Sequence, residues 1–338
     1  MSPMLATFVS RRNRLEFTMS YRLAFLVFAI TLPTASAQEP ITLKKLPGWV
    51  GALAWAPDNK RLAIGTGDGS ISIWDAERGK KQRDLDGHRG SVSALVFATL
   101  GFEPEKSPLV SGGQDGSMLI YTFEKEEPVM TLTRRSAVLC LASFKTVLWS
   151  GSVDGFIGRW APRDAKSYRA FGEHTSWVNS LAIDRDAKLL ASGSSDNTVR
   201  LWSLETEKPL HTFHIKEGEV RSVSLSPDGK TLAAGIRYGG LKVWDVETKK
   251  LLADLHLYPD ETWAVRFTPD GKALACAGGA WNKPSAVHLF RAGDWKETKM
   301  LPLTGEGLCL AISNDGRRLA AGTWDRTVRI WPLESDPK

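Results

Sequence analysis

The chain is poor in the residues that build metal and redox centres. Its 338 residues hold three Cys and six His. They contain no C-x-x-C-H haem site, no His/Cys metal spacing and no phosphate loop, so the sequence implies no metal and no cofactor. Three cysteines, Cys140, Cys276 and Cys309, are an odd count, and free thiols are expected rather than a disulfide. The chain also lacks a long apolar run. Leu23–Leu32, LAFLVFAITL, is ten residues, where a spanning helix needs ~20. A strong charge bias is missing too. The formal charge is +6, and residues 1–37 set Arg11, Arg12, Arg14 and Arg22 against only Glu16. The remainder is close to balance, which argues against a nucleic-acid partner.

The same N-terminal residues read as a targeting segment. The arginines precede the apolar run, Pro33 breaks it, and Ala35-Ser36-Ala37 follows as an A-x-A cleavage signal. Cleavage after Ala37 is expected, with translation starting at Met1 or at Met19. The alternative is an uncleaved segment, which would be the only membrane contact. The residue after the cleavage site is Gln38 and not Cys, so no lipid anchor is expected there. Export, to a periplasm or outside the cell, is the expectation. Residues 1–37 would be a signal peptide and 38–338 one folded domain.

What the chain has in quantity is self-similarity. Segments closing on an aromatic residue recur seven times, at Trp74, Tyr121, Trp160, Trp202, Trp244, Phe290 and Trp331, spaced 39 to 47 residues apart. A period of this size marks a repeat architecture. The unit from His174 to Phe213 shows how each repeat is built. Val178–Ile183, Lys188–Ser192, Thr198–Trp202 and Lys208–Phe213 alternate apolar and β-branched residues, and Asp/Asn/Ser turns separate them. The turns SPDG, TPDG and SNDG recur at one place in the unit.

These strands, the period and the Trp column resemble the WD40 repeat family over about residues 41–336. The resemblance implies an all-β, seven-bladed β-propeller of four-stranded antiparallel blades around a channel. The seventh repeat stops at Pro332, after its third strand, and EPITLKKL near the start matches the fourth strand KPLHTFHI of blade four. Residues 41–46 should therefore complete blade seven and join the ring.

Blade four carries His174, Ser192, Asp196 and Trp202, a set that invites a Ser-His-Asp hydrolase reading. Asp recurs six residues before the aromatic, at Asp68, Asp115, Asp154, Asp196 and Asp325. The family resemblance instead implies a buried structural tetrad, in which Asp accepts from His and Ser bridges His to the indole. Blade two offers His88, Ser111 and Asp115 with Tyr121. Blade three keeps Ser150, Asp154 and Trp160 without the His. Blades five and six lack the Asp. Aligned first strands give a column of small residues containing Cys140 and Cys309, a packing role for both.

Subtracting the core aromatics leaves Trp49, Trp177, Trp263, Trp281 and Trp324, with Tyr238 and Arg237, in loops of one face. Aromatics with arginine and mixed charge suit a contact surface. The leading expectation is a monomeric, non-enzymatic interaction scaffold that binds a protein or peptide there. The alternative is sugar or small-molecule binding at the channel mouth, with hydrolysis by Asp260, Glu261 or Glu306. The blade-two turn ATLGFEPEKSPL is an insertion on the opposite face.

Overall fold

Seven four-stranded antiparallel sheets follow one another along the chain in a computed structural model. It describes residues 39–333 except 102, 104, 105, 123, 163–167, 239, 259 and 282. The expected leader, residues 1–37, lies outside the described residues. Blade four has strands Val178–Ile183, Leu189–Ser194, Thr198–Ser203 and Pro209–His214, each paired with the next. The second strand, LLASGS, is buried at five of its six positions, which its small and apolar residues permit. The fourth, PLHTFH, lies at the rim, with one buried residue.

The turns between first and second strands explain the repeated S/T-x-D-G motif. Ser226, Thr268 and Ser313 each donate to the Asp two residues on, at 2.6 Å. That Asp then accepts the backbone N–H two residues further along. The intervening glycines, Gly229, Gly271 and Gly316, have φ near +72°, a conformation costly for residues with a Cβ.

The ring closes as the repeat count requires. Ile41–Leu43 pairs antiparallel with Val328–Pro332, placing Ile41 opposite Ile330 and Leu43 opposite Val328. The closing strand is shorter than the expected 41–46. Lys45 takes φ +61° and turns the chain out of the sheet. Leu46 nonetheless stays buried, in one cluster with Leu43, Val50, Trp55, Leu62, Val328 and Ile330. The first and last blades thus share a core.

Blade-to-blade contact has a repeated form that the sequence reading did not identify. A glycine in the second strand of six blades faces a β-branched residue at the start of the next blade. A Cβ on Gly65 would lie 2.4 Å from Val92, on Gly112 2.7 Å from Val138, and on Gly193 2.6 Å from Val220. Gly322 meets Val50 across the closure at 2.4 Å. Between blades six and seven the sizes are exchanged. Ala277 occupies the glycine position, and Gly307 replaces the β-branched residue; a Cβ there would lie 3.0 Å from that of Ala277.

Gly193→Ala should destabilise the protein by about 1–3 kcal/mol in urea titrations, through overpacking. Adding Val220→Ala should return part of that loss, because the two sites share one contact. An additive pair would refute the interlock. Separately, Leu43→Ala should cost about 2–4 kcal/mol, although it lies in a three-residue strand at the chain's N-terminal side. A neutral result would show that the closing strand is dispensable.

Candidate functional site

The polar residues of blade four form a continuous buried chain. The Trp202 indole N–H donates to Ser192 Oγ at 2.8 Å, and that hydroxyl meets His174 Nε2 at 2.7 Å. His174 Nδ1 lies 2.9 Å from Asp196 Oδ2. A neutral imidazole protonated at Nδ1 lets every hydrogen point toward the carboxylate. Thr198 Oγ1 and the Thr175 N–H also donate to Asp196. Burial raises the Asp196 carboxyl, but the bonds from His174, Thr198 and Thr175 together outweigh it and hold it well below the ordinary range. Ser192 is fully buried and occupied by the indole. Its hydroxyl is shared between that indole and the His174 imidazole.

Other blades satisfy the same location by other means. In blade two His88 joins Ser111 Oγ at 2.7 Å and Asp115 at 3.0 Å. Tyr121, in the Trp column, sends its hydroxyl to the Asp86 carbonyl. Burial pushes Asp115 up, yet bonds from Ser117, Arg89 and His88 lower it to about 2. In blade three Arg134 takes the place of the missing His, donating to Asp154 at 2.9 Å, while Trp160 donates to Ser150. In blade five Lys242 pairs with Asp254 at 2.6 Å and with Glu217 at 3.1 Å. In blade six the Tyr258 hydroxyl sits 3.0 Å from the Cys276 carbonyl and 2.8 Å from that of Ala286. Arg134, Lys242 and Tyr258 were not singled out from sequence. A basic or phenolic residue shortly before a repeat's first strand was the signal available for Arg134 and Tyr258. Cys140, Cys276 and Cys309 are free thiols, each pushed up to about 12 by burial. The first and third donate to the backbone carbonyls of Val178 and Val50 in the adjacent blades.

The loop aromatics converge on one end of the channel. Trp49, Trp177, Tyr238, Trp263, Trp281 and Trp324 all line a cavity of about 900 Å3. Their roles differ. Trp49 and Trp324 stack with ring centroids 5.6 Å apart and planes 12° apart, joining blades one and seven. Trp263 donates to Glu306 Oε1 at 2.6 Å and carries the Arg221 guanidinium 4.7 Å above its ring. Trp177, Tyr238 and Trp281 project outward, 51%, 58% and 66% exposed. Tyr238 holds φ +60° in its turn and anchors its N–H on the Asp260 carbonyl.

Charge at this mouth is partly compensated. Arg221 pairs with Glu261 at 2.8 Å and Glu219 at 2.9 Å, and Arg237 pairs with the same two carboxylates at 3.2 Å each. Arg237 also lies 4.9 Å over the Tyr238 ring and does not line the cavity itself. Glu306 is buried. Burial raises its carboxyl; the bond from Trp263 opposes this, and the charges of Glu261 and Asp260 reinforce it. The three carboxylates named for acid/base work thus border one cavity, where Glu261 is neutralised and Glu306 is tied to an indole.

A closed ring of seven blades with buried His/Ser/Asp networks defines a repeat propeller whose variable parts are its loops. Four stretches, residues 79–122, 165–203, 207–245 and 302–332, match the WD domain, G-beta repeat model, and residues 36–99 match the anaphase-promoting complex subunit 4 WD40 domain. The chain is a WD40-repeat β-propeller. It is 31% identical over 137 residues to B-type cell cycle switch protein ccs52A of Medicago truncatula, which is 39% of this chain and 27% of that relative. It is 36% identical over 81 residues to WD repeat-containing protein VIP3 of Arabidopsis thaliana, 24% of each chain. Over 163 residues it is 27% identical to anaphase-promoting complex subunit cdc20 of Dictyostelium discoideum, 46% of this chain and 31% of the relative. These matches span about a quarter to a third of the curated relatives' length. By name, the first and third are a cell-cycle protein and an anaphase-promoting complex subunit. That finding overturns the expectation of a periplasmic or secreted protein drawn from residues 1–37.

Asp196→Ala should lower stability at pH 7 by about 2–4 kcal/mol, since it strips a buried network. Acid titration supplies the second reading. Asp115 and Asp196 titrate lower in the folded chain than the usual carboxylate value of ~4, so their contribution is complete above that value. It is lost as pH falls toward about 2 for Asp115 and lower for Asp196. The Asp196→Ala protein should therefore show a shallower acid decline than the parent in denaturation curves. Equal slopes would place the acid sensitivity elsewhere.

Proposed function

We propose that this protein is a non-enzymatic interaction scaffold that holds a protein or peptide partner over the tryptophan-lined mouth of its channel. One observation carries the reading. Trp177, Tyr238 and Trp281, from blades four, five and six, stand exposed around one cavity. Large indole surfaces left to water are costly unless a partner covers them. Indole and phenol rings on a fixed backbone supply contact area at small entropic cost. Relatives named as a subunit of the anaphase-promoting complex support a role within an assembly. The buried, indole-capped Ser192 supports a role without catalysis.

The test replaces exposed rings and leaves the core alone. Trp177→Ala and Trp281→Ala should melt within a few degrees of the parent, because neither ring is buried. Each should weaken a captured partner by at least ~2 kcal/mol, roughly thirty-fold in affinity. Trp202→Ala is the contrast and should lose stability first. Unchanged affinity in the Trp177→Ala, Trp281→Ala double variant, measured by calorimetry, would move the partner site off this face.

A further inference from the structure

The channel has a second chamber, on the face opposite the tryptophans, with a volume of about 510 Å3. Its walls include Trp55, Phe97, Ile183, Phe267 and Ile312, and Thr99 and Ser107 from the blade-two insertion reach its rim. Among the described residues one charged side chain lines it, Arg266. In the aligned first strands this position is Ala54, Val96, Ala142, Ala182, Ser224 and Ala311 in the other six blades. Arginine is therefore foreign to the column and nothing in the repeat requires it.

The side chain is partly buried and lines both chambers. Among the described residues its hydrogen bonds run through Nη1, to the Val265 carbonyl at 2.8 Å and to Ser222 Oγ at 3.3 Å. Nε and Nη2 carry none, and no described carboxylate lies within ion-pair distance. Burial lowers its pKa, and only the Cys309 and Cys140 thiols oppose that. Arg221, at the tryptophan mouth, is by contrast held between Glu219 and Glu261. A lone guanidinium among apolar walls is costly without a counter-ion, and its planar fork fits a carboxylate through two parallel bonds. The tryptophan mouth carries Asp260 and Glu306 beside the paired Glu261, which makes it the less favourable side for an anion. Among the described residues the opposite chamber has no acidic lining residue.

We propose that this second chamber binds a small organic carboxylate, its head on Nε and Nη2 of Arg266 and its short apolar body against Phe97, Ile183 and Phe267. Arg266 borders both chambers, but the contacts proposed for the apolar body lie on the side away from the exposed indoles, and Trp177→Ala should leave them unchanged, so either reading can fail without the other.

Hexanoate is the probe, with hexanamide as its uncharged counterpart and acetate and inorganic phosphate as anions without the tail. At roughly ten times its dissociation constant, hexanoate should raise the melting temperature of the parent by about 2–4 °C. Acetate should bind about ten- to a hundred-fold more weakly, from the missing methylenes. Arg266→Ala installs the residue that four other blades carry at this position, so it should fold, and its response to hexanoate should vanish. Arg266→Lys keeps the charge without the fork and should retain a reduced response. Hexanamide matching hexanoate, phosphate matching hexanoate, or an Arg266→Ala protein that binds hexanoate as the parent does would each overturn the proposal. So would the absence of saturable binding in the parent.

Discussion

The ring depends on how closely one blade approaches the next. At five of the seven interfaces a glycine in the second strand lies so near a valine of the following blade that a methyl group would overlap it. Gly65 with Val92, Gly112 with Val138, Gly151 with Val178, Gly193 with Val220 and Gly322 with Val50 form this series. At the blade-five interface Gly235 meets Thr262. The last of the seven, between blades six and seven, trades partners, Ala277 facing Gly307. Close packing at native density tolerates neither an added methyl nor a void. Each interface therefore fixes the separation of two sheets, and seven such separations fix the channel. The Ile41–Leu43 strand, paired with Val328–Pro332, turns an open arc into a ring with shared core on both sides of the join.

A second constraint acts just outside the first. Where loops cross the blade tops, polar groups must be satisfied away from water. Blade four does this with His174, Ser192, Asp196 and Trp202. Blade three substitutes Arg134, blade five Lys242 and blade six Tyr258. The chemistry changes while the requirement does not. In blade four the Ser192 hydroxyl accepts from an indole, and the Asp196 carboxylate accepts from its own turn.

The parts legible in sequence are those set by local pattern. Period, aromatic column and S/T-x-D-G turns each reflect contacts within one repeat, so strand order, blade number and the closing role of Ile41 and Leu43 could be read directly. The closing strand ended three residues early because Lys45 adopts a positive φ, which its identity does not announce. The glycine column was present in the alignment, but its meaning lies in the neighbouring blade. Arg134 and Tyr258 come from loops outside the aligned strands, and Arg266 hides in a strand whose other positions are ordinary. The expectation of export rested on residues 1–37 alone, and the named relatives led elsewhere. The loop tryptophans were legible as surplus over the repeat, although only geometry separates stacked Trp49 and Trp324 from outward-facing Trp177 and Trp281.

Function in such a ring resides where the columns are broken. Every position that meets the next blade or completes a turn is committed to the fold, and so repeats. Residues free of both duties gather at the channel's two ends. One end holds rings and carboxylates with Arg221 and Arg237 neutralised between them. The other holds apolar walls, and Arg266 stands between the two chambers and lines both. Because the seven interlocks hold these ends rigid, their side chains stand arranged before any partner arrives. Less ordering entropy is then lost on binding.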